Sequence, residues 1–94
     1  MLRITETSVD EKTVTLRLDG KVISATLSDL EKLCLHFRDR ENKTVLLDFS
    51  GVTFMNNAGV KMLKRIKDER IKIVKASLFI ETLLRIEGIN NGNS

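Results

Sequence analysis

Apolar and polar residues alternate along the first part of the chain, weakly in residues 2–7 and clearly in residues 13–19. The apolar positions of the second segment are Val14, Leu16 and Leu18. A period of two is typical of a β-strand with one buried face. Because the polar residues 8–12 separate the two segments, the pattern predicts an antiparallel hairpin, and Gly20 is expected to break its second strand before a further short strand at Val22 and Ile23.

Three later segments carry apolar residues three and four positions apart, which is the spacing of one helix face. These predicted helices cover residues 28–40, 57–69 and 77–88. The first starts with a capping-box pattern at Ser28, and Ser77 is placed to cap the third. Gly88 is placed to end the third helix in a left-handed conformation, with Ile89 packing back on Leu84.

Two short apolar segments between these helices, residues 44–49 and 71–74, predict two more strands. The first contains consecutive apolar residues, which favours a strand that is covered on both faces. Strands that are joined through helices run parallel, so the sequence predicts an α/β fold, a mixed β-sheet with α-helices packed on it. We expect one domain over residues 1–89 and a polar C-terminal tail over residues 90–94.

The composition is that of an ordinary globular protein, with 94 residues, 41% hydrophobic residues and a formal net charge of +3. The apolar runs are too short to cross a bilayer and the N-terminus lacks a signal-peptide core, so we expect a cytoplasmic protein without membrane insertion. Basic residues cluster between Lys61 and Lys75, but no Tyr or Trp is present to stack on bases. A solvated helix face is therefore favoured over a binding site for nucleic acid or for an acidic protein.

Patterns for catalysis and metal binding are weak. Cys34 and His36 lie two positions apart on a predicted helix and point away from each other, so they cannot form a catalytic dyad. One His and one Cys also provide no zinc site. Asp48, at the end of an apolar strand, is expected to hydrogen-bond the following loop rather than act as a catalytic acid. We therefore expect no enzyme, no metal and no cofactor.

One segment resembles the central signature of the STAS family, named for sulfate transporters and anti-sigma factor antagonists: Leu47-Asp-Phe-Ser-Gly-Val-Thr-Phe-Met-Asn-Asn-Ala-Gly-Val-Lys-Met-Leu63. The family pattern reads hhhDhsgVphhDSsGhxxL, where h is apolar. The matching positions are Asp48, Gly51, Val52, Phe54, Gly59 and Leu63. The resemblance implies a STAS-like fold. Members commonly continue past the position of Gly88 with a strand and a helix, so we expect a C-terminally shortened form whose uncovered region supports a homodimer.

The resemblance also implies binding to another protein. Bacterial members act in partner switching that regulates transcription: the antagonist binds a serine kinase that is also an anti-sigma factor, and phosphorylation of a Ser or Thr in the DSsG motif releases it. Here Asn56, Asn57 and Ala58 replace the Asp, the phosphoacceptor and the second small hydroxyl residue. Asn57, the phosphoacceptor equivalent, cannot be phosphorylated, but its amide is able to cap the helix.

The expected function is a non-catalytic module of signal transduction that binds an anti-sigma factor or kinase-like protein without phosphorylation at the usual site. The expected partner-binding residues are Met55, Asn56, Asn57, Ala58, Gly59, Lys61 and Met62. Ser50 and Thr53 are nearby hydroxyl residues, but such residues in turns mostly hydrogen-bond the backbone. The alternative is an accessory subunit of a membrane transporter, or a ligand- or nucleotide-binding regulatory domain in which Lys61, Lys64 and Arg65 hold an acidic partner or a phosphate.

Overall fold

The computed structural model describes the backbone of residues 2–92 and the side chains of residues 2–85. The elements are, in order, β1 (Leu2–Val9), β2 (Thr13–Val22), α1 (Ser24–Leu35), β3 (Thr44–Met55), α2 (Asn57–Ile66), β4 (Ile71–Val74) and α3 (Leu78–Gly92). A π-helical turn, His36–Arg40, extends α1. No helix in the described part of the chain is long and apolar enough to span a membrane.

The strands form one sheet in the order β1-β2-β3-β4. The pair β1 and β2 is antiparallel, whereas β2 with β3 and β3 with β4 run parallel. Asp10 closes the hairpin between β1 and β2, because its Oδ1 atom accepts hydrogen bonds from the backbone N–H groups of Lys12 and Thr13 at 2.8 and 2.7 Å. The predicted mixed sheet and its hairpin are thus confirmed.

The core lies between one face of the sheet and the three helices. Its fully buried strand residues are Val14, Leu16, Leu18, Val22, Val45, Leu47, Phe49 and Ile71, and the helices add Leu30, Cys34, Leu63 and Ile80. On the other face, Leu46 pairs in register with Thr15 and Lys72, and these three residues are half-buried or exposed. The prediction that β3 is covered on both faces is therefore wrong for the described residues: the helices cover one face.

Two predicted boundaries in the first half of the chain are wrong. Helix α1 begins at Ser24 rather than Ser28, with Ile23 as its N-cap residue, and the hydroxyl of Thr26, the third helical residue, accepts a hydrogen bond from the Ile23 N–H at 3.3 Å as in one half of a capping box. Strand β2 does not end at Gly20 but continues to Val22. The pairing with β3 shifts register on either side of this glycine, and such β-bulges absorb a local irregularity without ending the strand.

Two predicted boundaries in the second half also move. Helix α2 ends at Ile66, short of residue 69, because the Asp68 carboxylate accepts hydrogen bonds from the N–H groups of Arg70 and Ile71 at 2.7 and 2.9 Å and forms a turn into β4. Helix α3 is capped by Ser77 as predicted, since the Ile80 N–H lies 3.2 Å from its hydroxyl. It runs through Gly88 to Gly92, since a helix tolerates an interior glycine at a cost of about 1 kcal/mol. The predicted contact of Ile89 with Leu84 lies outside the described side chains.

Candidate functional site

The starts of α1 and α2 lie side by side at one edge of the sheet. Strands β2 and β3 both end there, with Val22 paired to Met55. The N–H of Asn56 donates to the carbonyl oxygen of Val22 at 3.2 Å, and its side-chain nitrogen lies 3.4 Å from the hydroxyl of Ser24, the first residue of α1. This edge therefore gathers the free N–H groups of two helix N-termini.

Asn56, not Asn57, caps α2. Its Oδ1 atom accepts a hydrogen bond from the Gly59 N–H at 2.9 Å, and its extended backbone conformation is that of an N-cap residue. Asn57 is the first residue of the helix and its side chain is exposed. The expectation that the Asn57 amide caps the helix is thus wrong by one position. The cap falls on the residue that replaces the Asp of the family pattern.

The two glycines of the signature are required by close backbone approaches. A Cβ atom on Gly59 would lie 2.6 Å from the Val22 carbonyl oxygen, so only glycine lets the first turn of α2 rest on the end of β2. A Cβ atom on Gly51 would lie 1.9 Å from Oδ1 of Asp19 and 2.8 Å from the Leu18 carbonyl oxygen. These two glycines therefore allow β3 and the start of α2 to pack closely against β2.

The predicted partner-binding residues divide into a buried and an accessible group. Met55, Gly59 and Met62 are buried, with Met55 and Met62 only 3% and 4% exposed. Asn57 and Lys61 are exposed, and Asn56 and Ala58 are half-buried. Side chains of the buried group pack in the core, so a partner would contact only the accessible group.

Four exposed large apolar residues in the described part of the chain escaped the sequence analysis, and one of them, Val9, is 54% exposed at the end of β1. Phe54 is 43% exposed near the end of β3, because its neighbour Met55 takes the inward position of the strand. Leu78 and Phe79 are 74% and 56% exposed in the first turn of α3. The buried apolar face of that helix starts at Ile80. Leu78 and Phe79 lie just before it in the sequence, so their exposure could have been predicted. We call the exposed and half-buried residues at the end of β3 and the start of α2, namely Phe54, Asn57, Ala58 and Lys61, the α2 entry surface.

Asp48 has a structural role, as the sequence analysis favoured, but not at the end of a strand: β3 continues past the predicted end at residue 49 to Met55, so the bonded residue, Ser50, belongs to the strand and not to a following loop. Its carboxylate accepts a hydrogen bond from the Ser50 N–H at 2.9 Å. This bond, assisted by the Ser50 side chain and the charges of Lys75 and Arg17, holds the pKa of Asp48 below its usual value despite burial. A general acid needs a raised pKa to carry a proton at neutral pH, so Asp48 is unsuited to that role.

The other candidates for chemistry are separate from one another. Cys34 is fully buried and burial raises its thiol pKa to about 12, whereas the His36 side chain is exposed and lies 3.5 Å from Glu41. Arg65 donates two hydrogen bonds to Glu31 on α1, at 2.6 and 3.0 Å. This guanidinium therefore joins two helices and is already engaged. No group of three His, Cys, Asp or Glu residues that would hold a metal ion occurs among the described residues.

Comparisons with known proteins identify the family. A model of the STAS domain matches residues 5–83 of the chain, and no curated protein sequence matches significantly. The structure of the anti-sigma factor antagonist SpoIIAA in its unphosphorylated form is similar with a TM-score of 0.69 at 16% identity, covering 98% of this chain and 99% of that chain. The structure of the Bacillus cell fate determinant SpoIIAA in the phosphorylated form gives a TM-score of 0.64 at 16% identity, with 95% and 86% covered.

A third similar structure is the antisigma-factor antagonist, STAS domain, from Rhodobacter sphaeroides, with a TM-score of 0.57 at 20% identity and with 82% of this chain and 92% of that chain covered. Identities this low show a shared fold. The family model, however, matches most of the sequence, from the first strand to the third helix. This chain belongs to the STAS domain family.

Proposed function

We propose that this STAS domain is a non-catalytic protein-binding module of the anti-sigma factor antagonist type, whose partner contacts the α2 entry surface and is not released by phosphorylation there. The observation that carries the proposal is the position of Asn57. It is exposed at the first residue of α2, where the family pattern has its phosphoacceptor, and neither Asn56 nor Ala58 beside it bears a hydroxyl.

The α2 entry surface has the properties of a contact site that is formed before the partner arrives. The Asn56 cap and the close packing of Gly59 against the Val22 backbone hold the start of α2 in place. Little conformational entropy is therefore lost on binding. Phe54 offers exposed apolar area, and the Asn57 amide offers both a donor and an acceptor. Protein interfaces are enriched in aromatic residues and contain polar groups that hydrogen-bond the partner.

Ser50 and Thr53 are poorly placed to substitute for the missing phosphoacceptor. Both lie within β3, before the start of α2. The Thr53 hydroxyl donates to the Gly20 carbonyl oxygen at 3.2 Å, and the Ser50 N–H donates to the Asp48 carboxylate at 2.9 Å. A phosphate on either residue would not lie at the free N–H groups of the helix, where a dianion is stabilised. We therefore expect binding that is constant rather than switched at this surface.

The test uses a photo-reactive residue in place of Asn57 and, as a matched control, in place of the exposed Lys32 on α1. The tagged protein is cross-linked in the source cell, and captured proteins are identified. We expect position 57 alone to capture an ATPase of the anti-sigma kinase type. Capture of a transporter ATPase would instead support the accessory-subunit function, and capture of a second copy of this chain would support a homodimer contact.

A kinase assay with the captured protein tests the second half of the proposal. The parent chain should incorporate no phosphate, whereas Asn57→Ser, combined with Asn56→Asp, should be phosphorylated on the new serine because the sequence then matches the family pattern. Phosphate on Ser50 or Thr53 of the parent would contradict the proposal.

A further inference from the structure

A groove with a positive rim lies between α2, the end of β4 and α3, away from the α2 entry surface. Two cavities of about 430 and 280 Å³ form it, and they share Lys67 and Leu84 in their linings. The half-buried apolar residues of the lining are Ile73, Ala76 and Leu84. The groove therefore combines an apolar base with charged walls.

Four cationic and three acidic side chains line the walls of this groove. Lys64, Lys67, Lys75 and Arg85 line it, and no carboxylate among the described side chains lies within ion-pair distance of any of them. The opposing acids are Asp68, Glu69 and Glu81. Asp68 is already bound by Arg38 at 2.8 Å and by two backbone N–H groups, so its charge is compensated. The smaller cavity alone has three cations and one carboxylate.

We infer that this groove is a second binding site and that it receives an acidic, amphipathic peptide segment of a partner protein. Apolar side chains of the segment would pack on Ile73 and Leu84, and its carboxylates would pair with Lys67 and Lys75. Such pairing selects acidic partners and speeds association. The inference does not rest on the function proposed for the α2 entry surface.

The shape of the site favours a peptide over an anionic membrane. A concave groove encloses a strand or a helical turn, whereas a flat bilayer reaches only the residues that project most. Leu78 and Phe79, which do project at the start of α3, lie outside the linings of both cavities. A membrane would therefore meet these two residues first and would leave the cavities empty.

The inference is tested by titrating the isotope-labelled protein with a synthetic peptide of alternating Leu and Glu and recording amide chemical shifts. Two control peptides replace every Glu by Gln, or every Leu by Ser. We expect the Leu/Glu peptide to shift signals of the C-terminal half of α2, the end of β4 and α3, and to bind about tenfold more tightly than either control. Shifts confined to other elements, or equal binding of the three peptides, would overturn the inference.

Matched charge variants locate the site. Lys67→Glu with Lys75→Glu should lower the affinity for the Leu/Glu peptide about tenfold or more. Lys12→Glu with Lys32→Glu changes the net charge equally at exposed residues elsewhere and should leave the affinity nearly unchanged. Equal losses in both pairs would show general charge attraction and would overturn the site. Binding to vesicles of phosphatidylglycerol without binding to the peptide would overturn it in favour of a membrane contact.

Discussion

Replacing the cap residue of α2 tests whether the signature segment fixes the fold in the way that the structure shows. In Asn56→Ala the Gly59 N–H loses its acceptor at 2.9 Å, and the contact of the Asn56 amide with Ser24 at 3.4 Å is lost with it. Asn57→Ala is the matched control, because it removes an identical side chain one residue later from an exposed position.

The expected loss of stability in Asn56→Ala follows from the loss of the N-cap hydrogen bond. Removal of an N-cap side chain costs about 1 kcal/mol, within a range of roughly 0.5–2. For a chain of this length, about 1 kcal/mol lowers the melting temperature by about 4–8 °C. Asn56→Asp retains the acceptor and adds a negative charge at the positive end of the helix dipole, which is stabilising by roughly 0.3–1 kcal/mol. At position 56 we expect the free energy of unfolding to be highest with Asp, lower with Asn and lowest with Ala. Asn57→Ala should leave the free energy of unfolding nearly unchanged.

Urea unfolding followed by far-ultraviolet circular dichroism measures these differences, provided that the slope of the transition stays the same in all variants. The account of the cap is refuted if Asn57→Ala costs more than Asn56→Ala, or if Asn56→Ala unfolds at the same urea concentration as the parent.

Three further predictions concern the core and its charges. Gly59→Ala should lower the free energy of unfolding by about 2 kcal/mol or more in the same assay, because its Cβ would lie 2.6 Å from the Val22 carbonyl oxygen. Asp48→Asn should cost about 1 kcal/mol at pH 7, where the parent has a charge-assisted bond to the Ser50 N–H. Because the folded pKa of Asp48 is lowered, chiefly by its bond to the Ser50 N–H, that stabilisation is present above the unfolded pKa and is lost as the pH falls through the folded value, so urea unfolding should show the two proteins converging as the pH falls below the usual aspartate pKa of about 3.9. The Cys34 thiol, buried and with its pKa raised to about 12, should react with a thiol reagent in the native protein only at the rate of unfolding; fast labelling of the folded chain would contradict its burial.

Sequence reasoning was most successful where the residue pattern itself has a strong period. The alternation of Val14, Leu16 and Leu18 indicated β2, and all three residues are fully buried. The helical stripe with Val60 and Leu63 likewise indicated α2. The order of elements and the mixed sheet followed, because few connections are compatible with strands and helices in alternation.

Details that depend on tertiary contacts were not predictable from the pattern. The cap fell on Asn56 because its backbone is bonded to Val22 of a neighbouring strand, and nothing local distinguishes two adjacent asparagines. Met62 was expected on the binding surface but is buried, since the face that α2 presents to the sheet is set by the close approach at Gly59.

The affinity of the cross-linked partner for Asn57→Asp tests the central claim most directly. A carboxylate at the first residue of α2 should leave the fold intact or stabilise it by roughly 0.3–1 kcal/mol through the helix dipole. If the partner covers this surface, the new charge must be desolvated without a counter-ion, at a cost of about 2 kcal/mol or more. Calorimetric titration should show binding at least about tenfold weaker than that of the parent, with Lys32→Glu unchanged. A folded Asn57→Asp that binds as tightly as the parent would contradict the claim that Asn57 lies in the interface.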